Sequence, residues 1–116
     1  MGVQHLTKDV LLVTLPKEPQ TGSDLEFVTR LANSDRARDT IVNFSLVEIV
    51  PSSTICQLMA LERALAEAGH QLVLCSLSPT IHGIFRRVGL AGIFRFAYDE
   101  FAALQSLDSR TTAEMN

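Results

Sequence analysis

Two kinds of apolar pattern alternate along the chain. In the first, a short run is apolar at every position; in the second, apolar residues return every third or fourth position over a longer stretch. Val10-Leu11-Leu12-Val13-Thr14-Leu15 is of the first kind and is closed by Pro16 and Pro19. A run apolar on both faces fits a strand covered on both sides of a sheet. A segment from Gln4 to Thr7 is expected to pair with it. Ser23-Asp24-Leu25-Glu26 has the form of a capping box, and the spacing of Leu25, Val28, Leu31 and Ala32 predicts a helix from about 24 to 34. Thr40-Ile41-Val42-Asn43-Phe44-Ser45-Leu46 is rich in β-branched and aromatic residues and reads as a central strand.

From Ile55 the period becomes helical. Ile55, Leu58, Leu61, Leu65 and Ala68 form one stripe, and Gly69 stands where a left-handed helix terminus belongs. Gln71 to Cys75 is a further strand. Ser78 and Pro79 supply a cap and a first-turn proline for a helix that carries Ile81, Ile84, Phe85 and Val88 and ends at Gly89. Ile93 to Phe96 reads as a last short strand. Asp99 to Leu107 reads as a closing helix with Phe101, Leu104 and Leu107 turned inward, and the polar residues 108–116 as a disordered tail. Strands alternating with helices require crossover connections. The expected fold is therefore one α/β domain over residues 1–107, with a mixed, mostly parallel sheet of roughly four to five strands and about four helices. The first two strands, with no helix between them, should be antiparallel.

Composition changes this picture little. With 116 residues, 47% of them hydrophobic and 20% charged, the chain is long enough for one core and far from the make-up of a disordered polymer. Ten Lys and Arg against thirteen Asp and Glu leave a formal charge of -3, with no basic run to follow a phosphate backbone, so nucleic acid is not an expected partner. No apolar run approaches the roughly 20 residues that span a bilayer, and the amino terminus lacks a signal pattern. Neither membrane insertion nor export is expected, and the reading is cytoplasmic. Cys56 and Cys75 are expected to be small buried apolar groups in a reducing compartment.

The chain carries few motifs of known chemistry. Neither a phosphate-binding loop nor a G-x-G-x-x-G turn is present. His5, His70 and His82 have no metal-ligand spacing with each other or with the cysteines, so each is read as a surface or capping group, and no metal or other cofactor is expected. A hydrolase elbow needs glycines two positions either side of its serine, where Ser52 has Val50 and Thr54. No catalytic residue is assigned and no enzyme is expected. What stands out is Pro51-Ser52-Ser53-Thr54, three hydroxyls at the start of the best-defined helix. One hydroxyl suffices to cap a helix, a contribution of about 1 kcal/mol. The others lie where a kinase or partner can reach them, and a phosphate there adds about -1.5 to -2 charges beside the positive helix end, tolerable to the fold but not to a docked partner.

The segment Ile41-Val42-Asn43-Phe44-Ser45-Leu46-Val47-Glu48-Ile49-Val50-Pro51-Ser52-Ser53-Thr54-Ile55 resembles the hallmark of the STAS domain, the fold of anti-sigma factor antagonists. Downstream, Glu67-Ala68-Gly69-His70-Gln71-Leu72-Val73-Leu74-Cys75, then Leu77-Ser78-Pro79 and Gly89-Leu90-Ala91-Gly92-Ile93-Phe94, fit the same family. The resemblance implies a partner of the serine-kinase anti-sigma type, phosphorylation at the position of Ser52 and less so at Ser53 or Thr54, and a phosphatase as a further partner. It also implies a partner-binding face formed by Pro51, Ser52, Ser53 and Thr54 with Cys56, Met59, Ala60 and Arg63. Pro51 and Asn43 replace family aspartates, and Thr54 replaces a glycine. Those departures motivate an alternative, a non-phosphorylated STAS scaffold in a signalling complex or a transporter. A small-ligand binder using the strand ends is a third class, supported by no phosphate loop.

Overall fold

The structure, a computed structural model, describes residues 2–17 and 24–115, with side chains of the last helix described as far as Leu107. Pro19 and the Ser23 of the expected capping box lie outside the described residues. The elements follow in the order β1 (Val3–Thr7), β2 (Val10–Thr14), α1 (Asp24–Ala32), β3 (Asp39–Asn43), α2 (Ser52–Glu67), β4 (Leu72–Cys75), α3 (Pro79–Arg87), β5 (Arg95–Ala97) and α4 (Glu100–Met115). Helical backbone in α4 thus runs on through residues where the polar sequence suggests a tail.

The five strands form one sheet in the order β1-β2-β3-β4-β5. β1 is antiparallel to β2, as a two-residue connection demands, and every later pair is parallel. β3 is the middle strand, as its composition suggests. Because side chains alternate across a strand, neighbouring residues feed opposite layers. Leu11, Val13, Val42, Leu72 and Leu74 pack with Leu25 and Val28 of α1, Leu58, Leu61 and Leu65 of α2, and Ile81 and Phe85 of α3. Val10, Leu12, Ile41, Val73 and Cys75 face Ala103 and Leu107 of α4. Three helices therefore cover one face and one covers the other, which explains why β2 and β4 are apolar without alternation.

Phe85 anchors the larger layer. It is fully buried and meets Phe44, Phe94 and Phe96 edge-on, at ring-centroid distances of 6.2, 5.6 and 5.8 Å. The helix ends follow the sequence signals. Ser78 accepts the Ile81 N–H at 3.2 Å through its hydroxyl, with Pro79 following it. Gly69 and Gly89 take φ of 81° and 79°, a conformation that costs glycine nothing. In both cases the next residue's N–H reaches back into the helix, from His70 to Leu65 and from Leu90 to Phe85.

Several side chains fall elsewhere than periodicity suggests. Phe101 is 69% exposed, and Ala103 takes the inward position with Leu107. Asp99 accepts the Ala102 N–H at 2.8 Å and fixes where α4 begins, which turns Phe101 off the packed stripe. Val88 lies at the helix end and is exposed. The last strand is Arg95–Ala97 instead of 93–96, leaving Ile93 outside while Phe94 is buried against Phe85.

Candidate functional site

β3 ends at Asn43, and eight residues carry the chain to α2. The loop is fixed at its start. Asn43 accepts the Ser45 N–H at 2.7 Å through its side-chain oxygen, Phe44 donates its N–H to the Cys75 carbonyl at 3.0 Å, and Val47 donates to the Phe44 carbonyl at 3.0 Å. An amide oxygen suffices for the first of these bonds, so Asn43 serves here without a carboxylate. Phe44, Val47 and Val50 are buried at every third position. The residues between them are pushed outward, and Leu46 and Ile49 are 58% and 70% exposed. Glu48 pairs with Lys17 at 3.5 Å, a solvent-exposed contact that contributes little to stability. A loop pinned by three apolar anchors thus displays two large aliphatic side chains.

The helix begins earlier than its stripe suggests. Pro51 is the residue at its amino-terminal cap, with φ -72° and ψ 161° and no side-chain hydrogen bond. No hydroxyl caps α2, which corrects the expectation that one of the three would. Proline has no N–H to satisfy, and its fixed φ suits this extended approach to the helix. The Thr54 and Ile55 N–H groups close the first turn onto the Pro51 carbonyl at 3.0 and 3.3 Å. Ser52 and Ser53 occupy the first two helical positions, both exposed, and the first turn holds no acidic side chain. The positive end of α2 is therefore open to an added anion.

Helical spacing sorts the site residues. At 3.6 residues per turn, positions 52, 56, 59 and 63 form one stripe and positions 54, 58, 61 and 65 the opposite one. Thr54, Leu58, Leu61 and Leu65 are buried, while Ser52, Cys56, Met59 and Arg63 are exposed, with Ser53 and Ala60 exposed beside them. Two expectations are corrected. Thr54 is fully buried, its hydroxyl lacks a hydrogen-bond partner among the described residues, and it is not a hydroxyl that a kinase can reach. Cys56 is an exposed thiol and not a core group. The buried stripe includes Ala64 and excludes Ala68, with Ile55 only half-buried.

Around the turn the sheet ends in a hollow of about 690 Å³, bounded by Phe44, Ser45 and Val47 on one side and by Ser76, Phe96 and Tyr98 on another. Ser76 adopts φ 61° and holds its N–H on the Tyr98 carbonyl at 3.2 Å. Burial pushes the Cys75 thiol up to about 11, so it stays protonated. His70 lies at the far end of the sheet, its Nδ1 3.1 Å from Asp39 Oδ1, which also accepts the Gln71 N–H at 2.9 Å. His82 meets Phe96 in a tilted contact, with ring centroids 4.6 Å apart. These histidines sit apart, and among the described residues no cluster of metal-ligating side chains is present. No described helix is long and apolar enough to cross a membrane.

Sequence reasoning missed Leu46 and Ile49 by extending the strand through Leu46. The usable signal was the three-residue spacing of Phe44, Val47 and Val50, which breaks the period of a strand and leaves the intervening aliphatics outside.

The family described as "STAS domain" matches residues 6–103. Among solved structures, a domain protein of the anti-sigma-factor antagonist type from Planctomyces limnophilus superposes with a TM-score of 0.77 at 18% identity, over 91% of this chain and 96% of that one. The anti-sigma factor antagonist SpoIIAA in its unphosphorylated form gives 0.75 at 17% identity, over 92% and 95%. The Bacillus cell fate determinant SpoIIAA in its phosphorylated form gives 0.70 at 18%, over 90% and 96%. At these identities the superpositions establish a shared fold.

Proposed function

This chain belongs to the STAS domain family, and we propose that it acts as a cytoplasmic, non-enzymatic anti-sigma factor antagonist that docks a serine-kinase anti-sigma factor and is released by phosphorylation of Ser52. The carrying observation is the continuous exposed stripe from Ser52 through Cys56 and Met59 to Arg63, together with the outward-turned Leu46 and Ile49 on the loop that leads into α2. Exposed aliphatics gain from being covered, and a loop whose backbone is already held by buried anchors pays less to be ordered on docking.

Chemistry favours Ser52 as the switch. Its hydroxyl is exposed at the first position of a helix whose positive end faces no carboxylate of its own first turn, so a phosphate there is accommodated by the fold. The same charge placed in the middle of an apolar contact loses its water and opposes docking. The existence of SpoIIAA structures in both unphosphorylated and phosphorylated forms supports the same reading. A phosphatase restoring the hydroxyl completes the cycle.

The test is incubation with the serine-kinase anti-sigma factor and ATP, followed by phosphopeptide mapping. The expected product carries phosphate on Ser52, with Ser53 a lesser acceptor and Thr54 none. An unmodified 51–56 segment under conditions in which the kinase phosphorylates its other substrates would remove the switch. The chain would then stand as a non-phosphorylated scaffold of a signalling complex or transporter, the reading that Pro51 favours.

A further inference from the structure

A second feature lies on a different part of the molecule, where the edge strand β1 meets α1. A cleft of about 440 Å³ opens there, within the range typical of small-ligand sites. Its floor is apolar: Leu11, which belongs to the core, and Leu31 and Phe27 of α1. Phe27 is 36% exposed although its helix buries Leu25 and Val28, so a large aromatic is left uncovered at this one place on α1. An aromatic floor open to solvent gains by being covered.

The wall is cationic. Arg36 and Arg38, from the segment between α1 and β3, line the cleft. Among the described residues the ion pairs are Lys17 with Glu48 and His70 with Asp39, so neither guanidinium has a carboxylate partner. Asp39 follows Arg38 directly but is occupied by His70 and the Gln71 N–H. Arg38 uses one nitrogen on the Ala37 carbonyl at 2.9 Å, which leaves most of its five donors free and steadies the side chain at the rim. No described arginine has a carboxylate partner, and what sets this place apart is that two guanidiniums line one cleft with an apolar floor.

From this juxtaposition we propose that the cleft between β1 and α1 binds a small amphipathic carboxylate, its chain laid on Phe27, Leu31 and Leu11 and its carboxylate held by Arg36 and Arg38. Guanidinium donors match a carboxylate in geometry as well as charge. The apolar floor adds what a simple anion lacks, and the bounded volume favours a short-chain acid over a folded partner. This site is independent of the Ser52 surface: Arg38 precedes β3 and the serine turn follows it, at opposite ends of the same strand.

The test uses decanoate as the probe, below its micellar concentration, titrated into the full chain and followed by amide chemical shifts and by calorimetry. Saturable binding is expected, with shifts centred on Leu11, Phe27 and Leu31. Decanol and acetate, which each lack half of the chemistry, should bind at least about tenfold more weakly. Arg36→Gln with Arg38→Gln should weaken decanoate by about tenfold or more without altering the melting temperature, and Phe27→Ser should weaken decanoate and decanol alike. The idea fails if decanoate does not saturate, if decanol binds as well as decanoate, or if the shifts centre elsewhere. It also fails if an acidic extended peptide binds β1 where decanoate does not, since the cleft would then be a strand-docking edge. The shift map on the unaltered chain decides the matter even if a variant misfolds.

Discussion

Ser52 and Thr54 stand two residues apart on α2 and point to opposite sides, about 200° around the helix axis, one hydroxyl in water and the other sealed in the core. That division assigns different tasks to two residues that look alike in the sequence. Thr54 belongs to the buried stripe with Leu58 and Leu61, and its hydroxyl has given up water without gaining a partner among the described residues. An unsatisfied buried hydroxyl costs about 1–3 kcal/mol. Thr54→Val keeps the shape and removes the hydroxyl, so it should raise the unfolding free energy by about 1 kcal/mol in urea titration. Ser52→Ala, at an exposed site with no hydrogen bond, should change it by less than about 0.5 kcal/mol.

Leu46 and Ile49 are held outward by the burial of Phe44, Val47 and Val50, and nothing in the fold needs them. Leu46→Asp and Ile49→Asp should leave the melting temperature within a degree or two of the parent while weakening the anti-sigma factor complex. Val47→Asp, between them in the sequence but buried, should instead unfold the protein, because it puts an unpaired charge in the core. Circular dichroism melts beside gel-filtration of the mixed proteins separate the two effects.

Phe85 fills the space where α3 and the ends of β3 and β5 meet, and three rings lean on it. Phe85→Ala should lower stability by about 3–5 kcal/mol, a large share of what a domain of this size has. Phe85→Leu keeps most of the volume and should cost less. Guanidinium unfolding measures both.

The two thiols give a prediction in pH. Cys56 is exposed and should react quickly with a thiol reagent in the native protein, whereas Cys75 should react only on unfolding. Burial raises the Cys75 thiol from 9.0 to about 11, so the folded chain keeps its proton where the unfolded chain loses it. The contribution of Cys75 is thus fully present below its unfolded value and is lost as pH climbs from 9.0 toward 11. Between these limits the parent should lose up to about 2 kcal/mol more than Cys75→Ala does, read from unfolding curves at each pH.

Much of the fold is legible in the sequence because strong local signals agree with the tertiary result. The unbroken apolar runs of β2 and β4 are covered on both faces, Gly69 and Gly89 end the helices they follow, and Ser78 caps α3 through its own side chain. What escapes is set by packing between elements. Phe101 is apolar and helical, yet Asp99 fixes the register of α4 and turns it outward. Phe44 to Val50 continues the composition of a strand, yet the chain leaves the sheet at Asn43, whose side chain ties down the turn. Three neighbouring hydroxyls invite a single reading, and only the facing of α2 separates the buried one from the two exposed.

The direct measurement of the central claim is the affinity of the serine-kinase anti-sigma factor for the parent chain and for Ser52→Asp, by calorimetry at one salt concentration. A switch at Ser52 predicts a complex with the parent, a loss of at least about tenfold with Ser52→Asp, and no comparable loss with Ser52→Ala. Equal affinity for all three would contradict it.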